Sequence, residues 1–472
     1  MASSSSSMQN HVFLIATPAI GLLTPTVELA RRLVDRFPGR LSAIVLLISV
    51  PQWPTVHSYV QSLHATSSPN LSFLILPAME PPSTDQFPSY VANVTALVDQ
   101  QKVNIKDAIV AESKKRRVVG LIVDLFCTFV TDVANDLGIP SYLFYASPAA
   151  FFSYELEMSN LASDESLTEL TVRGFANSVP RRVLRRTEME RSYNAGFPIY
   201  LDHARRFTQM KGIIVNTVQE LEPFALDSLS ASGGPKVYPI GPVLNLKGSA
   251  QWNRDGAQKE KVIGWLDNQP KSSVVFLCFG SWGSLSGPQV KEIAIGLERA
   301  GLRFLWALRE PPKSNLVPPS DFSNVDGILP NGFLERTARN GLVCGWVPQM
   351  TILSHQAIGG FVSHCGWNST LESLWCGVPV ATWPIYAEQH MNAFLMVKEL
   401  GLSNEISLDY EDGVDLVSAE EVERGVKKLM ESDNMLRVRV KDVSEKCRLA
   451  MTEHGSSYTF LGDLVEELTS PI

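Results

Sequence analysis

No C-x-x-C pair occurs among the six cysteines (Cys127, Cys278, Cys344, Cys365, Cys376 and Cys447), which favours a reducing compartment and thiols used as small apolar residues. Positive charge is not in excess either. The formal net charge is -8, which argues against a broad attraction to nucleic acid or anionic membrane. Residues 1–10 are Ser-rich and uncharged, without the basic and apolar regions of a signal peptide, and the apolar run after them is too short to cross a bilayer. The expectation is a cytosolic chain with no membrane span, in which the sequons at Asn70 and Asn93 carry little weight. Neither G-x-G-x-x-G nor G-x-x-x-x-G-K-[ST] is present, which disfavours dinucleotide and P-loop readings. No Asp-x-Asp pair marks a metal site for a nucleotide sugar, so phosphate handling without metal or other cofactor is expected.

What is present is size and alternation. The 472 residues, 45% hydrophobic and 19% charged, suit two folded domains rather than one core or a disordered chain. Apolar Val/Ile/Leu runs at 11–16, 41–50, 71–76, 118–123 and 142–145 are separated by turns and helical spacing. Pro18, Gly21 and Pro25 break the first run. The scheme repeats at 274–279, 304–308, 342–344, 360–362 and 378–382, with a helix over 289–300. Such runs read as a parallel sheet covered on both faces. The fold class is therefore α/β, with two doubly wound domains whose ligands bind at the carboxyl ends of the strands, in the cleft between them. The expected boundaries are a disordered 1–10, an N-terminal domain over 11–245, and a Gly/Asn/Pro-rich linker at 246–257. A C-terminal domain over 258–455 and a final helix within 456–472 follow.

The densest chemistry lies at residues 359–372, GGFVSHCGWNSTLE. An apolar strand ends at Ser363, a glycine turn follows, and a helix is expected to begin near Asn368 or Ser369. Ser369-x-x-Glu372 fits a capping box, and Gly377-Val378-Pro379 stops the helix. A helix N-terminus offers N–H donors and about half a positive charge, which suits a diphosphate. His364, Asn368 and Ser369 add donors, and Gly366 lets backbone come close. A capped helix alone would be ordinary; the His-x-Gly-x-Asn-Ser cluster at a strand end lifts it above that. A second glycine turn, Gly280-Ser281-Trp282-Gly283, also joins a strand to a helix.

The stretch from Trp346 to Gln389, WVPQMTILSHQAIGGFVSHCGWNSTLESLWCGVPVATWPIYAEQ, resembles the donor-binding signature of plant family 1 UDP-glycosyltransferases, and the likeness runs nearly the whole chain. That resemblance implies a GT-B fold of two facing Rossmann-like domains, with donor on the C-terminal and acceptor on the N-terminal one. It implies that Trp346 stacks on uracil, Val347 bonds the base through its backbone, and Gln349 lies against the uridine. His364, Trp367 through its backbone, Asn368, Ser369 and Ser281 would hold the diphosphate. Glu372 would take the ribose hydroxyls rather than serve as a cap, and Glu388 and Gln389 the sugar hydroxyls. Ending in Gln389 points to UDP-glucose over UDP-galactose. Trp383 leans towards the sugar site, and His390 reads as a surface neighbour.

The reaction implied is inverting: an acceptor nucleophile attacks the anomeric carbon as UDP leaves. The family sets a histidine after the first strand, held by an aspartate. Asp124, ending the 118–123 run, matches the aspartate; the histidine's position holds Leu22. His11 begins the first strand and is about a strand length away, and His57, His64 and His203 read as packing or surface residues. A general base contributes ~10²–10⁴ in rate. Several outcomes stay open. The acceptor could arrive ionised, or Asp124, poorly paired and raised in pKa, could act as base. Leu22 could instead be an engineered replacement, or the protein could bind UDP-sugar or acceptor without transfer. A small hydrophobic plant metabolite, of phenolic, flavonoid or triterpenoid type, is the acceptor expected, bound by loops around 51–60, 81–90, 147–154 and 178–196. A monomer is the default.

Overall fold

In a computed structural model, residues 9–470 are described except 65, 83–86, 88, 162–167, 185–195, 247–255, 313–318, 409, 411–414 and 432–434. The chain divides into two compact units. One comprises Met1–Asn160, Met189–Val243 and Ala450–Ile472; the other comprises Leu161–Glu188 and Leu244–Leu449. Most of the expected linker lies outside the described residues.

The first unit is built on seven parallel strands: β1 (Asn10–Ile15), β2 (Leu41–Leu47), β3 (Leu71–Ile75), β4 (Arg117–Val123), β5 (Ser141–Tyr145), β6 (Gly212–Val215) and β7 (Lys236–Pro239). Their order is β3-β2-β1-β4-β5-β6-β7. The chain moves outward from β1 on one side and from β4 on the other. The switch point of this sheet therefore lies between β1 and β4, where Ile15 pairs with Val123. Every residue of β2 and β5 is buried, as expected of strands covered on both faces. Helix α1 (Ile20–Arg36) follows β1 and takes in both Gly21 and Pro25, so the turn after β1 ends at Ala19.

The second unit holds β8 (Val274–Cys278), β9 (Arg303–Ala307), β10 (Gly341–Cys344), β11 (Ile358–Ser363), β12 (Val380–Thr382) and β13 (Ser403–Glu405). These run parallel in the order β10-β9-β8-β11-β12-β13. Its switch point lies between β8 and β11, where Cys278 pairs with Ser363. Helix α2 (Gly287–Ala300) is capped by Ser286 and stopped by Gly301 in the left-handed conformation. Helix α3 (Trp367–Cys376) is stopped in the same way by Gly377. Apolar clusters cover both faces of this sheet, one around Trp306 and Trp383 and one around Phe276 and Phe361.

Helix α4 (Ser456–Thr469) belongs to the first unit and packs on β7 and β4. The hydroxyls of Tyr142 and Tyr238 both donate to Glu467. Segments expected as loops are in part helical, over Pro54–His64 and Ala149–Leu161. Much of 81–90 and 178–196 lies outside the described residues. No described helix is long and apolar enough to cross a membrane.

Candidate active site

Both glycine turns of the second unit leave the sheet at its switch point, one from β8 and one from β11. Between them sits the imidazole of His364. A Cβ added at Gly280 would lie 2.5 Å from His364 Nε2, and one at Gly366 would lie 2.6 Å from the same atom. Only glycine fits on either side of the ring, and Gly280 also has φ +79°. Burial pushes His364 down to about 4, so its ring is neutral at physiological pH, and its Nδ1 has no hydrogen-bond partner among the described residues. Cys365 has a φ of +64°. Its N–H donates to Ser363 Oγ at 3.1 Å, and its carbonyl accepts from Asn392 Nδ2 at 2.9 Å, so the turn is tied down on both sides. Burial raises the Cys365 thiol to about 12, consistent with a structural residue.

Helix α3 starts one or two residues earlier than the sequence suggests. Gly366 is its N-cap, no side chain caps it, and its first internal bond runs from Thr370 N to Gly366 O at 3.0 Å. No capping box forms, because Ser369 and Glu372 both lie inside the helix, in keeping with the expectation against a capping role for Glu372. Gln349 joins them instead, donating from Nε2 to Ser369 Oγ at 2.8 Å and Glu372 Oε2 at 2.7 Å. Burial lifts the Glu372 carboxyl to about 7, with the Gln349 bond pulling the other way. Half-buried Trp346 and buried Val347 follow β10 after Gly345, and the Trp346 backbone N–H donates to Asp321 Oδ1 at 2.9 Å. Ser281 lies half-buried in the β8 turn.

Near the end of the signature, Gln389 Oε1 accepts from the N–H groups of Ile385 and Tyr386, both at 3.0 Å. That fixes which way the amide faces and leaves its NH₂ without a partner among the described residues. Asn392 Nδ2 approaches Glu388 Oε1 at 3.4 Å, and burial raises the Glu388 carboxyl. Two expectations are corrected. Trp383 is fully buried in the core, edge-on to Phe279 and Tyr410 with centroids 5.8 and 5.7 Å apart. His390 is 2% exposed, and its Nε2 lies 2.9 Å from the Tyr410 carbonyl, so it is not a surface residue.

In the first unit, Asp124 closes the switch point from the β4 side. Its Oδ2 accepts from Thr17 N–H at 2.6 Å, and its Oδ1 accepts from Thr17 Oγ1 at 3.0 Å and Phe126 N–H at 3.1 Å. The poorly paired carboxylate expected from the sequence is therefore not found. Thr17 supplies two donors. Burial raises the Asp124 carboxyl while these bonds oppose the rise, and it is 1% exposed. Leu22 is half-buried in the first turn of α1, whose N-terminus carries no side-chain cap.

Four histidines of this unit are engaged elsewhere. His11 bonds Ser42 Oγ and Arg116, with burial holding it at about 4. His57 Nδ1 lies 2.8 Å from Ser49 Oγ, and His64 Nδ1 3.1 Å from the Phe73 carbonyl. His203 bridges Thr95 and Thr128 at 2.8 and 2.6 Å.

The family of UDP-glucoronosyl and UDP-glucosyl transferases matches residues 238–439. UDP-glycosyltransferase 43 of Pueraria montana var. lobata is 50% identical over 469 residues, covering 98% of this chain and 99% of its own. This chain belongs to that transferase family. Another member, UDP-glucose flavonoid 3-O-glucosyltransferase 6 of Fragaria ananassa, is 42% identical over 97% of this chain and 98% of its own. Medicago truncatula UGT71G1, crystallised with UDP-glucose, matches with a TM-score of 0.89 and 39% identity, over 98% of this chain and 99% of that one. The two parallel-sheet units of this transferase are the Rossmann-like halves of a GT-B fold.

Two residues that bond candidate site residues carried no sequence signal. Thr17 becomes visible only when β1 and β4 are neighbours. Asp321 lies 25 residues before Trp346, in a strand of only two residues, Ser320–Asp321.

Proposed function

We propose that this chain is an inverting transferase moving glucose from UDP-glucose to a small hydrophobic plant metabolite. It would act as a cytosolic monomer without metal or other cofactor. Trp346 stacks on the uracil, Val347 bonds it through the backbone, and Gln349 orders Glu372 towards the ribose. His364, Ser281, Asn368, Ser369 and the backbone of Trp367 receive the diphosphate. Glu388 and the Gln389 amide NH₂ take the sugar hydroxyls.

The observation that carries the donor assignment is the neutral His364 ring packed between two glycine turns at a sheet switch point, beside an uncapped helix N-terminus. Developing negative charge on the departing UDP meets prearranged donors there, which lowers the barrier without any titrating group.

The acceptor side has no imidazole at position 22. Asp124 is buried and already accepts three hydrogen bonds, which suits bracing the β1 turn better than taking a proton from substrate. The reading that fits is an acceptor acidic enough to attack as its own anion, such as a carboxylate or an acidic phenol. Leu22 also favours a second reading, a protein that binds UDP-sugar without transferring it. UDP release with and without a panel of acidic and ordinary phenols separates the two. Acceptor-dependent release supports transfer, and UDP binding with no release for any acceptor supports the second reading.

A further inference from the structure

Trp346 and the residues that place it are held by a contact outside the signature. Its N–H donates to Asp321 Oδ1 at 2.9 Å, and the same oxygen lies 2.9 Å from Arg309 Nε. Arg309 lies two residues past the end of β9 and Trp346 two residues past the end of β10. Leu308 N–H donates to the Cys344 carbonyl at 2.9 Å, so the two chains are still laddered as they leave the sheet. Arg309 and Asp321 also face each other in a two-residue antiparallel ladder with Glu310 and Ser320. The guanidinium is further anchored on the Ser320 and Pro319 carbonyls, and its side chain is 13% exposed. Gly345 is what allows the approach: a Cβ there would sit 2.5 Å from the Asp321 carboxyl carbon. Asp321 is thus clamped by Arg309 on one side and carries the Trp346 backbone on the other.

We propose that Asp321 is a positioning residue for nucleotide-base recognition, with Arg309 and Gly345 as its supports, and that it acts by fixing the backbone of Trp346. This rests on the reading above that Trp346 stacks on uracil. A charge-assisted hydrogen bond to a backbone N–H is strong enough to shift a stacking equilibrium by about tenfold. An effect on base placement appears in donor affinity and not in the chemical step once donor is saturating.

The test is calorimetric titration of UDP and ADP into the full-length chain, with KM and kcat for UDP-glucose measured in parallel. Asp321→Ala is expected to weaken UDP about tenfold, to narrow the preference for UDP over ADP, and to raise KM while leaving kcat within about twofold. Asp321→Asn keeps an oxygen for the Trp346 N–H and is expected to recover most of the loss, which a merely structural role would not allow. Gly345→Ala forces the carboxylate away and is expected to reproduce the Asp321→Ala phenotype. Unchanged UDP affinity in both Asp321→Ala and Gly345→Ala overturns the proposal. So does a uniform loss of UDP and ADP affinity that Asp321→Asn does not rescue. If Asp321→Ala does not fold, Gly345→Ala and Asp321→Asn decide between these outcomes. Failure of the unaltered chain to bind UDP would instead remove the donor-site reading itself.

Discussion

Installing the missing imidazole with Leu22→His gives the sharpest view of how the acceptor is activated. Leu22 is the third residue of α1, whose N-terminus has no side-chain cap. A histidine there sits at the positive end of the helix dipole, which lowers its pKa and keeps it neutral, hence basic, above pH ~6.5. Asp124 already accepts three hydrogen bonds, and a carboxylate offers about four lone-pair sites. The fourth is met by the Cys127 thiol, a weak donor, so an imidazole N–H competes with that thiol rather than with Thr17. A positioned base contributes ~10²–10⁴, and sharing Asp124 with Thr17 favours the lower end.

The gain must depend on the acceptor. At pH 7.5 a phenol of pKa ~10 is about 0.3% ionised, whereas one of pKa ~7 is about 75% ionised, an anion supply ~200-fold greater. The unaltered chain should therefore follow acceptor acidity steeply. Leu22→His should raise kcat/KM by about 10²-fold for ordinary phenols and by less than about tenfold for acidic ones. The gain should fade as pH falls through the imidazole pKa. The assay is UDP release with phenols of graded acidity. An equal gain for all acceptors, or none for any, refutes the reasoning.

Glu372 is held by burial at about 7 against 4.5 for a free carboxyl, so the fold favours its neutral form. Its burden on stability is absent below pH 4.5, grows as pH rises and levels above about 7. Glu372→Gln is thus expected to melt at a higher temperature than the parent at pH 8 and at the same temperature at pH 4.5. Gly280→Ala puts a Cβ 2.5 Å from His364 Nε2 at a φ of +79°. It is expected to weaken UDP more than about tenfold by calorimetry, because the ring must leave its slot. Trp383→Leu empties part of the second unit's core and should cost about 2–4 kcal/mol in denaturant unfolding. The UDP affinity of the folded protein should stay unchanged, since Trp383 is core and not site.

Most of this architecture is legible because parallel strands covered on both faces read as uninterrupted Val/Ile/Leu runs. Three strands not singled out are short or lie at a sheet edge. Gly212–Val215 has only four residues, Lys236–Pro239 is an edge strand ending in proline, and Ser403–Glu405 is a polar edge strand. The Ser369-x-x-Glu372 pattern misleads because it cannot say where α3 begins; Gly366 decides that, and both side chains then fall inside the helix. Trp383 looks like a site residue and His390 like a surface one because they flank the sugar-side end of the signature, yet packing against Tyr410 takes both. The environment of Asp124 needs β1 and β4 side by side, since Thr17 lies 107 residues away along the chain. Asp321 is hidden for the same reason.

The proposed seat of the pyrophosphate is the junction at Gly366 and His364. Titrating UDP and uridine into the unaltered chain and into His364→Ala tests it most directly. UDP should bind the unaltered chain, and His364→Ala should weaken UDP about tenfold while leaving uridine affinity unchanged. No UDP binding, or an equal loss for UDP and uridine, would contradict it.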